Sequence, residues 1–400
     1  MTSIATIFLI AWASLLAIPT IVLLVEIAAA LILAPRKVAP YAHGNNRRPL
    51  AVLIPAHNEG TGISSTITDV SAQLVAGDQL VVIADNCTDN TASIAATAGA
   101  EVLERHEPTK VGKGYALDFG IRHLSLDPPE IVVVIDADCK VAEHTIARLA
   151  TACAASGRPV QALDLMIASL HSPINYQVAE FAWRMKNWIR PLGLDALNLP
   201  CQLMGTGMAF PWSAICFANL ANASVVEDMK LGLELAEAGF PPLFCPSARV
   251  TSEFPLALEG AKSQRHRWEH GHIRMILTTA PRLLWRAVTG ANLPLLALTL
   301  DLAIPPLSLL ISLLVGTLLI AALAMFSGAS SAPFTMTAIT FATLMVTILA
   351  AWVKFGRDIL PIGSLFSVVS YMFAKFPIYY RALSLSATSH WTRTDRKKSQ

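Results

Sequence analysis

Long apolar stretches lie at both ends of the chain, and short apolar runs alternate with polar segments between them. The first stretch runs from Ile4 to Leu33, with Glu26 as its only charge. Apolar character returns from Leu293 to Phe326 and again from Phe334 to Val353. A helix needs about 20 apolar residues to cross a bilayer, so the pattern predicts three spanning helices.

The carboxyl-terminal apolar region is interrupted. Asp301 and a pair of prolines break the stretch that begins at Leu293, so its early part is predicted to lie along the membrane interface or to form a fourth span. Residues 359–383 are also apolar, but they include two basic side chains and lead into a basic tail. We interpret this segment as an interfacial or re-entrant helix, because a full crossing would place the tail outside.

The region from Pro49 to about Arg286 has a different pattern. Four short runs rich in Val, Ile and Leu each end in polar residues and precede a helical pattern. The predicted strands are residues 49–55, 79–84, 100–103 and 131–135. Four consecutive strand and helix steps predict an α/β domain with a mostly parallel, Rossmann-like sheet, whose ligands bind at the carboxyl ends of the strands.

Composition indicates a membrane protein and predicts its orientation. Of the 400 residues, 54% are hydrophobic and 14% are charged, against about 25% charged residues in soluble proteins. Four basic residues follow the first apolar stretch, so the positive-inside rule places this flank and the α/β domain in the cytoplasm and the amino terminus outside. The predicted divisions are an anchor at 1–35, a cytosolic domain at 49–286, a membrane region at 293–383 and a basic tail at 384–400.

Charge, cysteine usage and missing motifs argue against several other classes. The net charge is +2 and basic residues gather at the membrane flanks instead of forming one stripe, so no nucleic-acid partner is predicted. Six cysteines show no C-x-x-C pair and no zinc spacing, and we interpret them as reduced thiols. No G-x-G-x-x-G follows the first strand and no P-loop motif is present, which argues against both nucleotide-binding folds.

Charged residues follow the predicted strands. The positions are Glu59 and Asp85 after the first two strands, Lys113 between two glycines before a helix, and Asp136 and Asp138 after the fourth strand. In a parallel sheet these positions converge at one edge. Two nearby carboxylates suit Mg²⁺ or Mn²⁺, whose remaining ligands are commonly substrate phosphates, so a diphosphate substrate is predicted.

Two later segments allow more than one interpretation. Glu227 and Asp228 open a helix, where acids complement the helix dipole, but a carboxylate there also suits a general base. The segment Gln264–Trp268 has the sequence QRHRW, whose arginines can neutralise a leaving pyrophosphate while the tryptophan stacks on a sugar. A basic, aromatic helix at the membrane surface explains the same residues.

Seven motifs, taken in order, resemble one known family. They are IPAHNE, ADNCTDNTA, GKGYAL, DAD, GTGMAF, ED and QRHRW. Over roughly residues 50–275 they resemble the membrane-embedded family 2 glycosyltransferases, which include cellulose and poly-N-acetylglucosamine synthases. The resemblance implies a GT-A fold, a nucleotide-sugar donor that is usually a UDP-sugar, inversion at the anomeric carbon, and a place in the bacterial inner membrane.

The resemblance also implies roles for individual residues. Asp228 would be the catalytic base with Glu227 beside it, and Asp138 would be the metal ligand. Residues implied to bind the nucleotide-sugar are Pro55, Glu59, Asp85, Lys113 and Asp136. Residues implied to bind the acceptor and pyrophosphate are Gly205, Thr206, Gly207, Gln264, Arg265, Arg267 and Trp268.

The number of spans bears on the acceptor. About three spans are too few for one chain to build a polysaccharide channel, so we predict transfer to a membrane-held acceptor such as a lipid-linked saccharide, in exopolysaccharide or glycolipid synthesis. A processive synthase that acts with polysaccharide-assembly partner proteins or as an oligomer is the alternative. A non-catalytic membrane scaffold is a third interpretation. The predicted partners are the nucleotide-sugar donor, the acceptor and membrane lipids.

Overall fold

The computed structural model describes residues 2–33, 49–168, 174–221, 226–254 and 258–364. The described residues form two compact units. The sheet unit comprises the described residues within 49–168 and 198–271, and the helical unit comprises those within 2–33, 174–197 and 272–364. Helices and strands are numbered along the whole chain.

The sheet unit is built on eight strands in the order β3-β2-β1-β4-β7-β6-β8-β5. The strands are β1 Leu50–Ala56, β2 Gln79–Asp85, β3 Glu101–Arg105, β4 Ile131–Val134, β5 Lys140–Val141, β6 Val160–Ile167, β7 Met208–Pro211 and β8 Leu243–Glu253. The first four strands are parallel to one another, and β7 runs antiparallel between β4 and β6. The predicted α/β class and mostly parallel sheet are therefore confirmed.

Helices cover both faces of this sheet. They are α2 Ile63–Ser71, α3 Thr91–Thr97, α4 Lys113–Leu124, α5 Thr145–Ser156, α8 Trp212–Ile215, α9 Glu227–Glu237 and α10 Leu258–Thr278, which begins in this unit. Successive side chains of β1 face opposite sides, as strand geometry requires. Val52 and Ile54 pack with α2 and α5, while Ala51 and Leu53 pack with α4 and α9. Burial on both faces explains why these strands are apolar runs without alternation.

The helical unit contains the apolar ends of the chain. Its helices are α1 Thr2–Ile32, α6 Ile174–Arg184, α7 Arg190–Ala196, α11 Ala280–Thr289, α12 Leu293–Leu302, α13 Leu307–Phe326 and α14 Ala332–Phe355. A π-helical turn, Met185–Ile189, joins α6 to α7, and a 3-10 turn covers Ile362–Ser364. Within the described ranges, three helices are long and apolar enough to cross a membrane, over Ile4–Ile32, Leu307–Phe326 and Ala332–Phe355.

The predicted interruption of the carboxyl-terminal apolar region is present. Helix α12 ends at Leu302 and α13 begins at Leu307, directly after Pro306. Proline fixes its own backbone and lacks an N–H, so the helix restarts at this point. At ten residues, α12 is too short to cross a bilayer alone. The basic flank at 34–48, the segment 365–383 and the tail 384–400 lie outside the described residues.

The compact units do not follow the predicted limits of the cytosolic domain at 49–286. Within that range, residues 174–197 pack in the helical unit. Helix α7 lies directly against α1, and a Cβ added to Gly193 would stand 1.8 Å from the backbone oxygen of Glu26. From α7, Arg190 donates to Glu26 Oε2 at 2.9 Å and to Asp301 Oδ1 at 2.5 Å. Contacts over this sequence distance leave no local pattern, so the sequence analysis did not detect them.

Candidate active site

Lys113 connects two loops at the carboxyl ends of the strands. It is the first residue of α4 and follows Gly112, whose φ of 138° is one that residues with a Cβ rarely adopt. Its ammonium forms an ion pair with Asp136 and donates to Gly205 O at 2.7 Å. Burial alone would lower the pKa of Lys113, but nearby carboxylates, Asp136 first among them, raise it above its ordinary value. The side chain therefore carries a firmly held positive charge.

The loop that contains Gly205 is held by buried polar side chains. Thr206 Oγ1 accepts a hydrogen bond from the Asp136 backbone N–H at 3.0 Å. Gln161 is fully buried on β6 and donates to Thr206 O at 2.8 Å while accepting from the Met204 N–H at 2.8 Å. These bonds attach the glycine loop to the loop that follows β4. The sequence analysis did not single out Gln161.

Glu227 and Asp228 lie at the start of α9 and line one cavity together with Lys113 and Gly205. The rest of its lining is Gly114, Leu117, Met208, Asn219, Leu220, Leu231 and Glu234. A Cβ built on Gly205 would stand 3.5 Å from Asp228 Oδ2 and 3.8 Å from Lys113 Nζ. The carboxylate and the ammonium thus meet over a glycine that leaves room between them.

The two acids of this pair differ from an ordinary pair of surface carboxylates. Burial, and then the charge of Asp228, raise the pKa of Glu227 to about 7, against the opposing charge of Lys113. Perturbed carboxyl groups of this kind cluster at functional sites, because proton transfer near neutral pH requires them. The two acids at the start of α9 therefore have a setting that suits acid–base chemistry.

A second group of residues lies at the ends of β1, β2 and β3. Asp85 is buried and accepts from Arg105 Nη1 at 2.5 Å. Burial raises the pKa of Asp85, and Arg105 opposes that rise. His57 Nδ1 lies 2.7 Å from Asp85 O, and Asn58 Oδ1 accepts from Thr88 N at 2.7 Å. The loops after β1 and β2 are thereby joined.

Two further predicted residues belong to this group. The backbone N–H of Glu59 donates to Thr91 Oγ1 at 2.8 Å, which attaches the end of the β1 loop to α3. Pro55 lies within β1 and pairs with Ile83 of β2. Arg105 and Asn58 were missed by the sequence analysis. Arg105 ends a parallel strand, so the same rule that selected Asp85 and Asp136 also selects Arg105.

The remaining predicted residues follow β4 or lie on α10. Asp138 is partly buried, and Cys139 Sγ lies 3.8 Å from its Oδ1. Arg267 and Trp268 are partly buried on α10, and burial lowers the pKa of Arg267. The side chains of Gln264 and Arg265 lie outside the described part of the chain. Further along α10, a Cβ on Gly271 would stand 3.0 Å from Val226, the residue before Glu227.

Comparison with known proteins agrees with this architecture. The model of the family described as "Glycosyltransferase like family 2" matches residues 47–271, which is more than half of the chain. The chain therefore belongs to this family. A mannosyltransferase of Pyrobaculum calidifontis, solved with GDP-Man and Mn²⁺, is 18% identical and has a TM-score of 0.51 over 85% of this chain and 98% of that one. This likeness confirms the predicted GT-A fold.

Curated relatives match only part of the chain. Glucosyl-3-phosphoglycerate synthase of Mycobacterium tuberculosis is 39% identical over 98 residues, 23% of this chain and 29% of the relative. An uncharacterised glycosyltransferase of Mycobacterium bovis is 30% identical over 139 residues, 34% of this chain and 59% of the relative. The chain thus spans less than two thirds of each. Family 2 membership confirms the broad resemblance, and likeness to polysaccharide synthases in particular stays a prediction.

Proposed function

We propose that this protein is an inverting glycosyltransferase that moves a sugar from a nucleotide-diphospho-sugar, usually a UDP-sugar, to an uncharged hydroxyl of a membrane-held acceptor. One observation carries the proposal. Lys113 joins the Asp136 loop to Gly205. Lys113, Gly205, Glu227 and Asp228 all line the same cavity. A cation for a diphosphate and a base for a hydroxyl thus meet in one place.

The roles follow from charge and position. Pro55, Glu59 and Asp85 lie at the strand ends where the nucleoside would bind, and Lys113 supplies charge to the departing diphosphate. Asp228 would accept the proton of the attacking hydroxyl, because its Oδ2 approaches Gly205 within the cavity. Glu227 would hold that carboxylate in place. Arg265, Arg267 and Trp268 would contact the pyrophosphate and acceptor, with Gln264, Gly205, Thr206 and Gly207.

The carboxylates near the site suit a divalent cation whose remaining ligands come from the substrate diphosphate. Among the described residues, no group of three or more His, Cys, Asp and Glu side chains is arranged to hold a metal. Asp136 is paired with Lys113, which leaves Asp138 as the carboxylate for Mg²⁺ or Mn²⁺. Mg²⁺ commonly takes one or two carboxylates and completes its shell with phosphate oxygens and water. When bound, the cation would neutralise charge on the leaving diphosphate.

The charges that line the cavity favour an uncharged acceptor over a negatively charged one. Asp228 and Glu234 face it, Glu234 is paired with Lys230, and the cation of the lining, Lys113, is already paired with Asp136. A like charge about 4–8 Å away costs about 2–4 kcal/mol at an effective dielectric of about 20. The apolar lining, with Leu117 and Leu231, suits the carbon face of a sugar ring. We therefore favour a neutral saccharide acceptor over phosphoglycerate, the acceptor implied by the name of the mycobacterial relatives.

Membrane attachment supports an acceptor held in the bilayer. Three helices are long and apolar enough to span it, and we place the catalytic domain on the cytoplasmic side of the bacterial inner membrane with the amino terminus outside. A lipid-linked saccharide in exopolysaccharide assembly, or a glycolipid, fits this setting. Processive synthesis with partner proteins or as an oligomer is the alternative, and product length on a gel separates the two.

The test uses the full chain in nanodiscs with Mn²⁺ or Mg²⁺. Labelled UDP-glucose, UDP-N-acetylglucosamine, UDP-galactose and GDP-mannose are each incubated with membrane lipid extract or with 3-phosphoglycerate, and products are identified by mass. We expect one of the nucleotide-sugars to give a lipid-linked product. We expect no product when 3-phosphoglycerate is the acceptor. Asp228→Asn should lower transfer by about 10²–10⁴-fold while UDP binding persists. Near-normal turnover of that variant contradicts the base assignment, and no transfer from any donor favours a scaffold.

A further inference from the structure

The Asp85 carboxylate is held through one of its two oxygens. Arg105 Nη1 donates to Oδ1 at 2.5 Å, and Asn86 Nδ2 donates to the same oxygen at 3.0 Å. Among the described residues, none donates a hydrogen bond to Oδ2. The side chain keeps 6% of its surface exposed at the carboxyl end of β2. One oxygen is thus anchored and the other is left to accept from a ligand.

Arg105 is itself fixed by contacts on several sides. It ends the edge strand β3 directly opposite Asp85 in the parallel register, and its side chain is 7% exposed. Its Nη1 also donates to Lys110 O at 3.0 Å, and the guanidinium lies 5.6 Å from the centre of the Tyr115 ring. These partners lie on either side of Lys113. The guanidinium therefore connects the Asp85 carboxylate to the segment that carries the diphosphate-binding lysine.

We propose that Arg105 is a positioning residue that anchors Asp85 Oδ1 and so presents Oδ2 to a ring N–H of the donor nucleobase. The inference rests on the proposed function and adds a positioning residue to it. An ionised carboxylate only accepts hydrogen bonds. Uracil and guanine offer a ring N–H on their pairing edge, whereas adenine and cytosine offer a ring nitrogen acceptor there. The arrangement selects uridine or guanosine donors.

The charge of Arg105 matters as much as its geometry. Burial raises the pKa of Asp85, and Arg105 lowers it through its hydrogen bond and its charge. The other ionisable groups near Asp85 are His57, from the loop after β1, and Cys87, from its own loop. Protonation removes the charge of Asp85, so its hydrogen bond from the base N–H becomes weaker, and a proton on Oδ2 itself would face the base N–H as a second donor. Without Arg105, nucleotide binding should therefore weaken as the pH falls.

A purely structural role for Arg105 makes a different prediction. If the guanidinium only fastened β3 to β2, its loss would loosen the sheet edge and weaken every ligand of this region by the same factor. A positioning role acts on one atom of the base. Methylation of the ring nitrogen removes the N–H and leaves the rest of the nucleotide unchanged, so it separates the two possibilities.

The experiment compares Arg105→Met and Arg105→Lys with the full-length protein in nanodiscs. Dissociation constants are measured for UDP and N3-methyl-UDP, or for GDP and N1-methyl-GDP if the donor panel identifies a GDP-sugar. Donor KM and kcat are measured between pH 6 and pH 8. Arg122→Met is the matched control, since Arg122 is an exposed arginine paired with Asp118 on the surface of α4.

We expect the unaltered protein to bind the plain nucleotide at least about tenfold more tightly than its methylated form, as for loss of a hydrogen bond to a charged group. Arg105→Met should reduce this preference to about threefold or less and raise donor KM by about tenfold, with kcat within about twofold. Its KM should rise further between pH 8 and pH 6. Arg105→Lys should keep part of the preference for the unmethylated nucleotide. The control, Arg122→Met, should keep all of it.

Two outcomes overturn the inference. One is an Arg105→Met protein that keeps the full preference for the unmethylated nucleotide, and the other is one that loses affinity for both forms equally. If Arg105→Met does not fold, Arg105→Lys decides, because it keeps the charge and alters the geometry: an unchanged preference and KM would then refute the positioning role. Failure of the proposed function looks different, since the unaltered protein would then transfer no sugar.

Discussion

Arg105 in the sheet unit and Arg190 in the helical unit are both buried arginines bound to carboxylates, but their surroundings differ. Arg190 lies between Glu26 of α1 and Asp301 of α12, each less than a tenth exposed. Arg105 and Asp85 are equally enclosed, at 7% and 6% exposed, but they end two neighbouring parallel strands at the sheet edge where the loops meet. The same chemical pair therefore joins helices in one unit and joins two strand ends in the other, where we propose that it prepares a binding group.

The Lys113–Asp136 pair extends this comparison. Its side chains are 19% and 37% exposed, so it is the most open of these ion pairs. A pair near solvent contributes little to stability, whereas an enclosed one is costly to break. Arg190 should therefore report on folding and Lys113 on transfer, while the enclosed Arg105–Asp85 pair should report on both stability and nucleotide binding.

The largest effect on stability is expected from Arg190→Met. The change leaves Glu26 and Asp301 buried without their cation, which costs about 3–5 kcal/mol. Thermal unfolding in detergent, followed by circular dichroism, measures it. Replacing all three charged residues by Met or Leu should recover part of the loss, because no buried charge then remains. A single variant as stable as the unaltered protein would contradict the structural role of this cluster.

Lys113→Met should show the opposite pattern. Loss of the cation beside the departing diphosphate should lower transfer by about 10²-fold, or about 2.7 kcal/mol. The melting temperature should stay within a few degrees, because the pair is partly exposed. Initial rates and thermal unfolding of the same preparation measure both quantities. A large fall in stability with little change in rate would place Lys113 with Arg190 instead of with the binding residues.

The third expectation concerns pH and Glu227. Its pKa is raised from 4.5 to about 7, so the folded protein holds this proton more tightly than the unfolded chain does. Its contribution to stability is therefore complete below about pH 4.5 and is lost as the pH rises through 7, a change of about 2–3 kcal/mol. Glu227→Gln should remove this part of the pH dependence. Identical slopes between pH 5 and pH 8 for the two proteins would argue against the raised pKa.

Much of the sheet unit was predictable from local patterns. Runs such as residues 131–135 are apolar because both sheet faces are covered. Such a strand can be recognised from consecutive residues in the sequence. The helix break before α13 was predictable because Pro306 acts on its own backbone. Of the predicted acids, Glu59 and Asp136 lie in the loops after β1 and β4, and Asp85 is the last residue of β2.

Partners far apart in the chain were not predictable. Arg190 stands 164 residues from Glu26 and 111 from Asp301, and no periodicity links them. The same holds for Gly193. Its lack of a side chain allows the close approach of the α1 backbone at Glu26, which the sequence does not reveal. Residues 174–197 fall within the predicted cytosolic range 49–286, and in the structure they pack with the apolar helices.

The amino-acid sequence by itself determined which segments are strands, which helices suit a bilayer, and which acids stand at strand ends. Those properties depend on neighbouring residues, through burial and backbone geometry. The tertiary structure decided that Lys113 pairs with Asp136, that Arg105 holds one oxygen of Asp85, and that Glu227 keeps a proton near neutral pH. Charges act through space, so their effects depend on distances that only the folded chain defines.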